Sequence, residues 1–386
     1  MHPFLKQART ESFSFHAQRI ATWRFTCGPA PFPSAMPAPF DARFPESSVK
    51  GAVAIGVPDA DWSSHRGKWI FVAGEKGRGA FNTIVRDKLL YQKAVTAGAI
   101  GFVFSVATPE EGTWQCVVPV DKAYAVKDER YIDGRRPIPC FVLDTNDANK
   151  LQTAAASGGV LEAVITPQSA VQHQAKNAVA FLPGQSKKAV AILCHLDSFF
   201  SGACDNGTGI AAMVGLAERL SQIPVEDRPA DVHFLGIAAH HDAGAGMRAY
   251  LSGDEKRARS ISEMILLEHV DVLDLPLAKR AGWDTPLNDQ RTAYLGPDGW
   301  PEVSQAMPSL IKDSGLMTKL PRMTNACIAD LFVNCGQVKA FCLMNAPPIY
   351  HTNHDTLEWI SAAGIRRAVD FHVRLLHHTG AIRRTG

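Results

Sequence analysis

From residue 171 to the end of this 386-residue chain, short aliphatic runs alternate with segments of helical period, and few folds accept that order. Residues 178–181, 189–194, 232–238, 262–270 and 338–343 are largely apolar, as strands covered on both faces must be. Between them, residues 209–221, 244–251, 300–314 and 363–377 carry apolar positions at helical spacing. The pattern predicts an α/β fold with a mixed, mostly parallel central sheet and helices on both faces. Such a sheet presents its chemistry at the carboxyl ends of its strands.

The preceding region reads differently. In residues 1–48, Pro29, Pro31, Pro33, Pro37, Pro39 and Pro45 exclude long helices and predict an extended arm. Strands are expected at 52–57, 68–73, 100–104, 138–143 and 160–166, with helices over 83–97 and 147–156. The first helix would bury Val85, Leu89, Leu90, Ala94 and Val95. Nothing in 49–170 has metal-ligand spacing. The expected divisions are therefore an arm over 1–48, a β-rich domain over 49–170 and a third domain over 171–386.

Several function classes fall away early. A formal charge of +2, with 40 basic residues spread along the chain, gives no electrostatic case for nucleic acid or a membrane surface. The longest apolar stretch, 97–107, is short of the roughly 20 residues that span a bilayer. Met1 to Lys6 contain no apolar signal core, so a cytoplasmic location is expected, with secretion open if the start has been trimmed. The eight cysteines include no C-x-x-C pair and read as buried, reduced thiols, with Cys204 set apart by lying beside Asp205. A Gly-x-Ser-x-Gly elbow and a phosphate-binding loop are both absent. Dimerisation is left open.

Polar residues interrupt the pattern where strands end. His195-Leu196-Asp197 follows the second run, and Asp205 sits in the Gly-rich turn Gly202–Gly209 that opens a helix. His240-His241-Asp242 follows the third run, Glu268-His269 breaks the fourth, and Tyr350-His351-Thr352 with Asp355-Thr356 follows the fifth. One histidine among fourteen is usually an ordinary solvated or satisfied side chain, and Asp-Asn-Gly alone is a turn signal. Glu268 is less easily dismissed, because an ionised carboxylate is seldom buried without a partner. Four strand ends that each offer imidazole or carboxylate favour a metal centre.

In this order the motifs resemble the di-zinc exopeptidases of the M28 type, the family of bacterial leucyl aminopeptidases and glutamate carboxypeptidase. The resemblance runs from about residue 176 to the carboxyl terminus. Residues 49–170, in which a lysine-containing helix leads into Gly98-Ala99-Ile100-Gly101 and an apolar strand, resemble the protease-associated domain inserted in several peptidase families. The resemblance implies zinc held by His195, Asp205 and Glu268 at one site and by Asp205, His241 and His351 at a second. It also implies that the Asp197 carboxylate orients His195. The family pattern places a Glu-Glu pair, base then ligand, where this chain has His240-His241. His240 then stands as general base and His241 as ligand. With fewer carboxylates around two cations, the second site is expected to be weaker or to accept Mn, Fe or Co.

The implied reaction is hydrolysis of an amide bond in a peptide or N-acyl amino acid by metal-activated water, with Tyr350 either donating to the oxyanion or packing. Two alternatives remain: an inactive family member that binds or scaffolds, and a mononuclear hydrolase of lactams, carbamates or esters. His269, on the opposite face of a regular strand, is the lesser candidate.

Overall fold

Unbroken aliphatic runs need cover on both faces, and the computed structural model shows them covered. The structure describes residues 8–17, 19–38, 47–75, 80–118, 138–168, 171–186, 188–242, 244–270, 291–296, 298–325, 338–345 and 347–383. Pro39, Pro45, Cys327, Cys335 and the side chain of Val85 lie outside them.

In chain order the first elements are β1 (Arg9–Ala17), β2 (Ile20–Cys27), β3 (Ala30–Pro31), β4 (Met36–Pro37), β5 (Ser47–Ile55), β6 (Trp69–Val72) and α1 (Ala80–Ala97). They are followed by β7 (Gly101–Ser105), β8 (Cys140–Leu143), α2 (Thr145–Ala156) and β9 (Val160–Pro167). Then come β10 (Val171–Leu182), β11 (Ala189–His195), α3 (Gly209–Ser221), β12 (Asp231–Ile237), α4 (Ala245–Gly253), α5 (Glu255–Ser260) and β13 (Ile261–Leu266). The last are β14 (Arg291–Leu295), α6 (Pro301–Ser314), β15 (Arg322–Thr324), β16 (Lys339–Asn345) and α7 (Ala362–His378).

Two eight-stranded mixed sheets result, giving the mixed α/β class expected. One runs β1-β10-β12-β11-β13-β16-β14-β15, with β12, β11, β13 and β16 mutually parallel. Every residue of β11 is buried. Ile192, Ile265 and Phe341 pack against Leu216, Leu310 and Leu375 from α3, α6 and α7 on one face. Leu193, Leu235 and Leu266 meet Met247 and Tyr250 of α4 on the other. Each such buried side chain contributes roughly 1.5–3 kcal/mol, and the parallel strand ends are thereby fixed as a platform.

The other sheet runs β3-β2-β9-β5-β6-β7-β8-β4. In α1, Leu90, Ala94 and Val95 are buried as expected, but Leu89 is exposed. The amino-terminal arm is more ordered than its prolines predict. β1 pairs antiparallel with β10 in the first sheet, and β2 pairs with β9 in the second. Ser12-Phe13-Ser14-Phe15 alternates with the strand period, and that local signal prevails over the regional proline content. Among the described residues, no helix is long and apolar enough to cross a membrane.

Away from the strand ends, α7 buries His372, 1% exposed, with Nδ1 donating to the Ala368 carbonyl at 2.7 Å. Burial pushes its pKa down from 6.5 to about 4. The folded state therefore resists a proton that the unfolded state accepts, and stability is lost as the pH falls from 6.5 towards 4. At about pH 5 the loss from this one residue is of the order of 2 kcal/mol. Urea unfolding at neutral pH and near pH 5 checks this. His372→Leu is expected to flatten the dependence by that amount.

Candidate metal centre

The expected site residues come from the four loops that follow the parallel strands β11, β12, β13 and β16, and the structure brings them together. His195 is the last residue of β11. Its Nδ1 lies 2.7 Å from the Asp197 backbone carbonyl. Since a carbonyl only accepts, Nδ1 carries a proton, and Nε2 is the nitrogen left to face the cavity. His351 is held the same way, with Nδ1 3.1 Å from the Val117 carbonyl, and so is His269, with Nδ1 2.9 Å from the Asn345 carbonyl.

All three Nε2 atoms face one carboxylate. His195 and His269 lie 3.0 Å from Asp205 Oδ1, and His351 lies 3.1 Å from Asp205 Oδ2. Glu268 Oε1 is 3.6 Å from His195 Nε2 and 3.8 Å from His269 Nε2. Asp205, Glu268, His195, His269 and His351 are all buried.

His269 corrects the sequence expectation. The strand β13 ends at Leu266, before Glu268, and His269 has φ of 44°, so the strand alternation that would send its ring away no longer applies. Ala239 and His351 also have positive φ, 54° and 57°. For a residue with a Cβ this conformation costs about 1–2 kcal/mol, and three such residues around one cavity are the backbone strain that functional sites collect.

Asp197 departs from its expected role as well. Its backbone carbonyl, not its carboxylate, orients His195. The carboxylate accepts the N–H groups of His240 and His241, each at 2.9 Å. Asp355, to which the sequence reading gave no role, does the equivalent for the Asp205 turn, accepting from Cys204 N at 2.7 Å and Asp205 N at 3.0 Å. Burial pushes its carboxyl up to about 6 against the pull of those two N–H groups. In each case a carboxylate near one candidate ligand fixes the backbone of another.

The turn itself is sterically dictated. The Asp205–Asn206 peptide is cis, and Asn206 donates to the Leu267 carbonyl at 2.9 Å while accepting from Gly209 N at 3.1 Å. A Cβ at Gly209 would strike both Asn206 Oδ1 and the Leu267 carbonyl, so α3 has to open on glycine. Cys204 packs beside Ile349, Tyr350 and Trp359 and, among the described residues, is not in any potential metal-ligand group. The Tyr350 ring stacks on His351 with centroids 3.6 Å apart.

His240 and His241 complete the cavity. The ring of His240 lies 4.6 Å from that of His195, and the ring of His241 lies 5.0 Å from that of His351. Side-chain donors fall within 4.8 Å of one another in four groups: Asp205 with His241 and His351; His195 with His240 and Glu268; Asp205 with Glu268 and His269; and His195 with Asp197 and His241.

The donors suit a cation. On a tetrahedron with bonds of about 2.0–2.1 Å, neighbouring ligand atoms lie roughly 3.3 Å apart, a value inside the 3.0–3.8 Å range of the Nε2–carboxylate separations found. Among the described residues, His195 Nε2 and Glu268 Oε2 are buried without a hydrogen-bond partner. The charge balance agrees. Burial works against a charged His195 ring, but Asp205 and Glu268 overcome it and hold its pKa well above 6.5. The same opposition, led on the carboxylate side by Asp205, raises His269. Against its own burial, Asp205 is held well below the carboxylate range by His269, His195 and His351.

Comparison with known proteins follows the same line. Residues 177–282 match the model of peptidase family M28. The M28 match contains His195, Asp205, His240, His241, Glu268 and His269, and stops before His351. No curated protein matches the sequence. Among solved structures, an M28 peptidase precursor from Shewanella amazonensis has a TM-score of 0.70 at 15% identity, over 99% of this chain and 85% of that one. BSAP, a zinc aminopeptidase from Bacillus subtilis, has 0.64 at 15% identity, over 97% and 85%. An aminopeptidase from Aneurinibacillus sp. strain AM-1 has 0.59 at 16% identity, over 96% and 84%. The chain thus has the fold of M28 aminopeptidases along nearly its whole length.

Proposed function

We propose that the chain is a zinc-dependent peptidase of aminopeptidase type, acting on peptides or N-acyl amino acids. The observation that carries this reading is the arrangement at Asp205. Three imidazoles whose Nδ1 protons are committed to backbone carbonyls turn their remaining nitrogens on one buried carboxylate, where each contact needs either a proton or a metal ion between nitrogen and oxygen. His195, Asp205 and Glu268, with His269 beside them, would hold one ion; Asp205, His241 and His351 would hold a second. When bound, the metal supplies Lewis acidity to the scissile carbonyl and acidifies water.

The protein's own residues do the rest. His240, its N–H fixed on Asp197, takes the proton of the attacking water and returns it to the leaving amine. Phe199, with its ring 4.3 Å from that of His241 and 4.7 Å from that of His351, walls the cavity with apolar surface and limits water. The residues 49–170 are proposed as the protease-associated-like module beside this site.

Purified protein is tested on aminoacyl amides, N-acyl amino acids and esters, with chelator and after zinc is restored. Aminoacyl amide or N-acyl hydrolysis that disappears on chelation and returns with zinc is expected. Turnover of esters alone points to the mononuclear alternative, and silence from zinc-loaded protein on every substrate overturns the reading in favour of a binding protein.

A further inference from the structure

The two candidate metal positions are not supported alike. Around the first, His195 leans on the Asp197 carbonyl and His269 on the Asn345 carbonyl, both within residues 171–383. At the second position the His351 ring, and the residue that follows His241, are instead held from the amino-terminal side. We infer that Arg19 and the strip 113–117 are positioning elements for His241 and His351, so that the second metal position is complete only while the two sheets are docked. The inference rests on the peptidase reading above.

At His351 the contact is reciprocal. Val117 accepts from its ring Nδ1 at 3.1 Å and donates from its own N–H to the His351 carbonyl at 2.8 Å. The strip is fastened on both sides of that pair. Gln115 exchanges hydrogen bonds of 3.0 Å with the Asn353 backbone N–H and side-chain oxygen, and Asn353 Nδ2 reaches the Thr113 carbonyl at 3.1 Å. The Trp114 ring stacks on His354 at 3.8 Å, while its backbone N–H is held by Asp144 at 3.0 Å. Asp144 also caps α2, accepting from Asp147 N at 2.8 Å, so the strip is anchored in the second sheet's layer.

At His241 the device is an ion pair. Arg19 lies between β1 and β2, where the chain crosses from one sheet to the other. Its Nη2 donates to Asp242 Oδ2 at 2.7 Å and its Nη1 approaches Oδ1 at 2.6 Å. Asp242 is the next residue after His241, whose own N–H is fixed on Asp197 at 2.9 Å. The loop is thus gripped from the catalytic sheet by Asp197 and from the crossover by Arg19. A partner bonded to a ligand's ring, as Val117 is to His351, sets its orientation and tautomer, and loss of such support typically costs about 10–100-fold in metal affinity; Arg19 and Asn353 act one step further out, on the backbone that carries the rings. Linkage requires the reverse effect too: if docking favours the second ion, the ion favours docking.

The experiment titrates zinc into metal-free full-length protein, Arg19→Ala, Arg19→Lys and Asn353→Ala, reading affinity and stoichiometry by calorimetry, with thermal unfolding as a check that each variant folds. Two ions are expected in the unmodified protein. In Arg19→Ala and in Asn353→Ala the weaker ion loses affinity by roughly 10–100-fold while the tighter is unchanged, and Arg19→Lys recovers part of the loss. Backbone amide exchange over 113–117 is expected to slow when the second equivalent of zinc is added. Equal weakening of both ions, no change in either, or zinc-independent exchange overturns the inference and leaves the peptidase reading standing. A single ion in the unmodified protein also overturns it. No zinc bound at all removes the peptidase reading itself.

Discussion

Asp205→Asn is expected to leave the fold intact, empty both metal positions and lower hydrolysis by about three orders of magnitude or more. The scale follows from the loss of several kcal/mol of transition-state charge stabilisation, each 1.36 kcal/mol being about tenfold in rate. Asp205 is the residue shared by the two candidate ligand sets, within 3.0–3.1 Å of His195, His269 and His351. An amide there offers one neutral oxygen and a competing N–H. Breaking a buried ion pair ordinarily costs about 3–5 kcal/mol because a charge is stranded. Here the stranded groups are imidazoles, which can release their protons and become neutral, so the penalty on stability is smaller. The Asp355 clamp on the turn acts on backbone N–H groups and is untouched by the change. Zinc content by atomic absorption, circular dichroism and turnover on an aminoacyl amide check the three parts. A variant that keeps both ions contradicts the assignment of Asp205 as the shared ligand.

The contrast between what the chain displayed and what it concealed has a physical pattern. The strands 189–194, 232–238 and 338–343 were legible because they are buried on both faces, and burial of that kind leaves an uninterrupted aliphatic record. The helix over 209–221 was legible because Gly209 marks its start. The groups at the strand ends stood out as polar residues where apolar ones belong, and Glu268 was the most informative of them.

His269 was hidden because the strand rule was carried past the residue where the strand stops. Only the positive φ, which no residue type at that position announces, turns its ring inward. The carbonyls of Val117, Asn345 and Asp197 were beyond reach for a simpler reason: every residue has one, so the atom that fixes a ligand's tautomer leaves no trace in composition. Asp355 lay inside a motif already noticed, and a carboxylate four residues after His351 was the available signal for a backbone clamp.

Replacing His240 separates the two jobs an imidazole can do in this cavity. With His195 and Glu268 it forms a compact group of donor atoms, so the ring is within reach of a ligand role; yet its backbone is fixed by Asp197, and His195, Asp205, Glu268 and His269 already surround the same position. Three of those residues would suffice to hold an ion and leave a position open for water, so a further protein donor is not needed, and a buried base beside the ions is what the reaction would lack without His240. His240→Ala is therefore expected to lower kcat by about 10²–10⁴-fold, the range of a positioned proton acceptor, while zinc content and affinity stay as in the unmodified protein. His240→Glu, which restores the carboxylate of the family pattern, is expected to recover much of the rate, since it again places a proton acceptor beside the water. Should His240→Ala instead shed an ion, and added zinc restore the rate, the ring is a ligand and the proton must leave by another group.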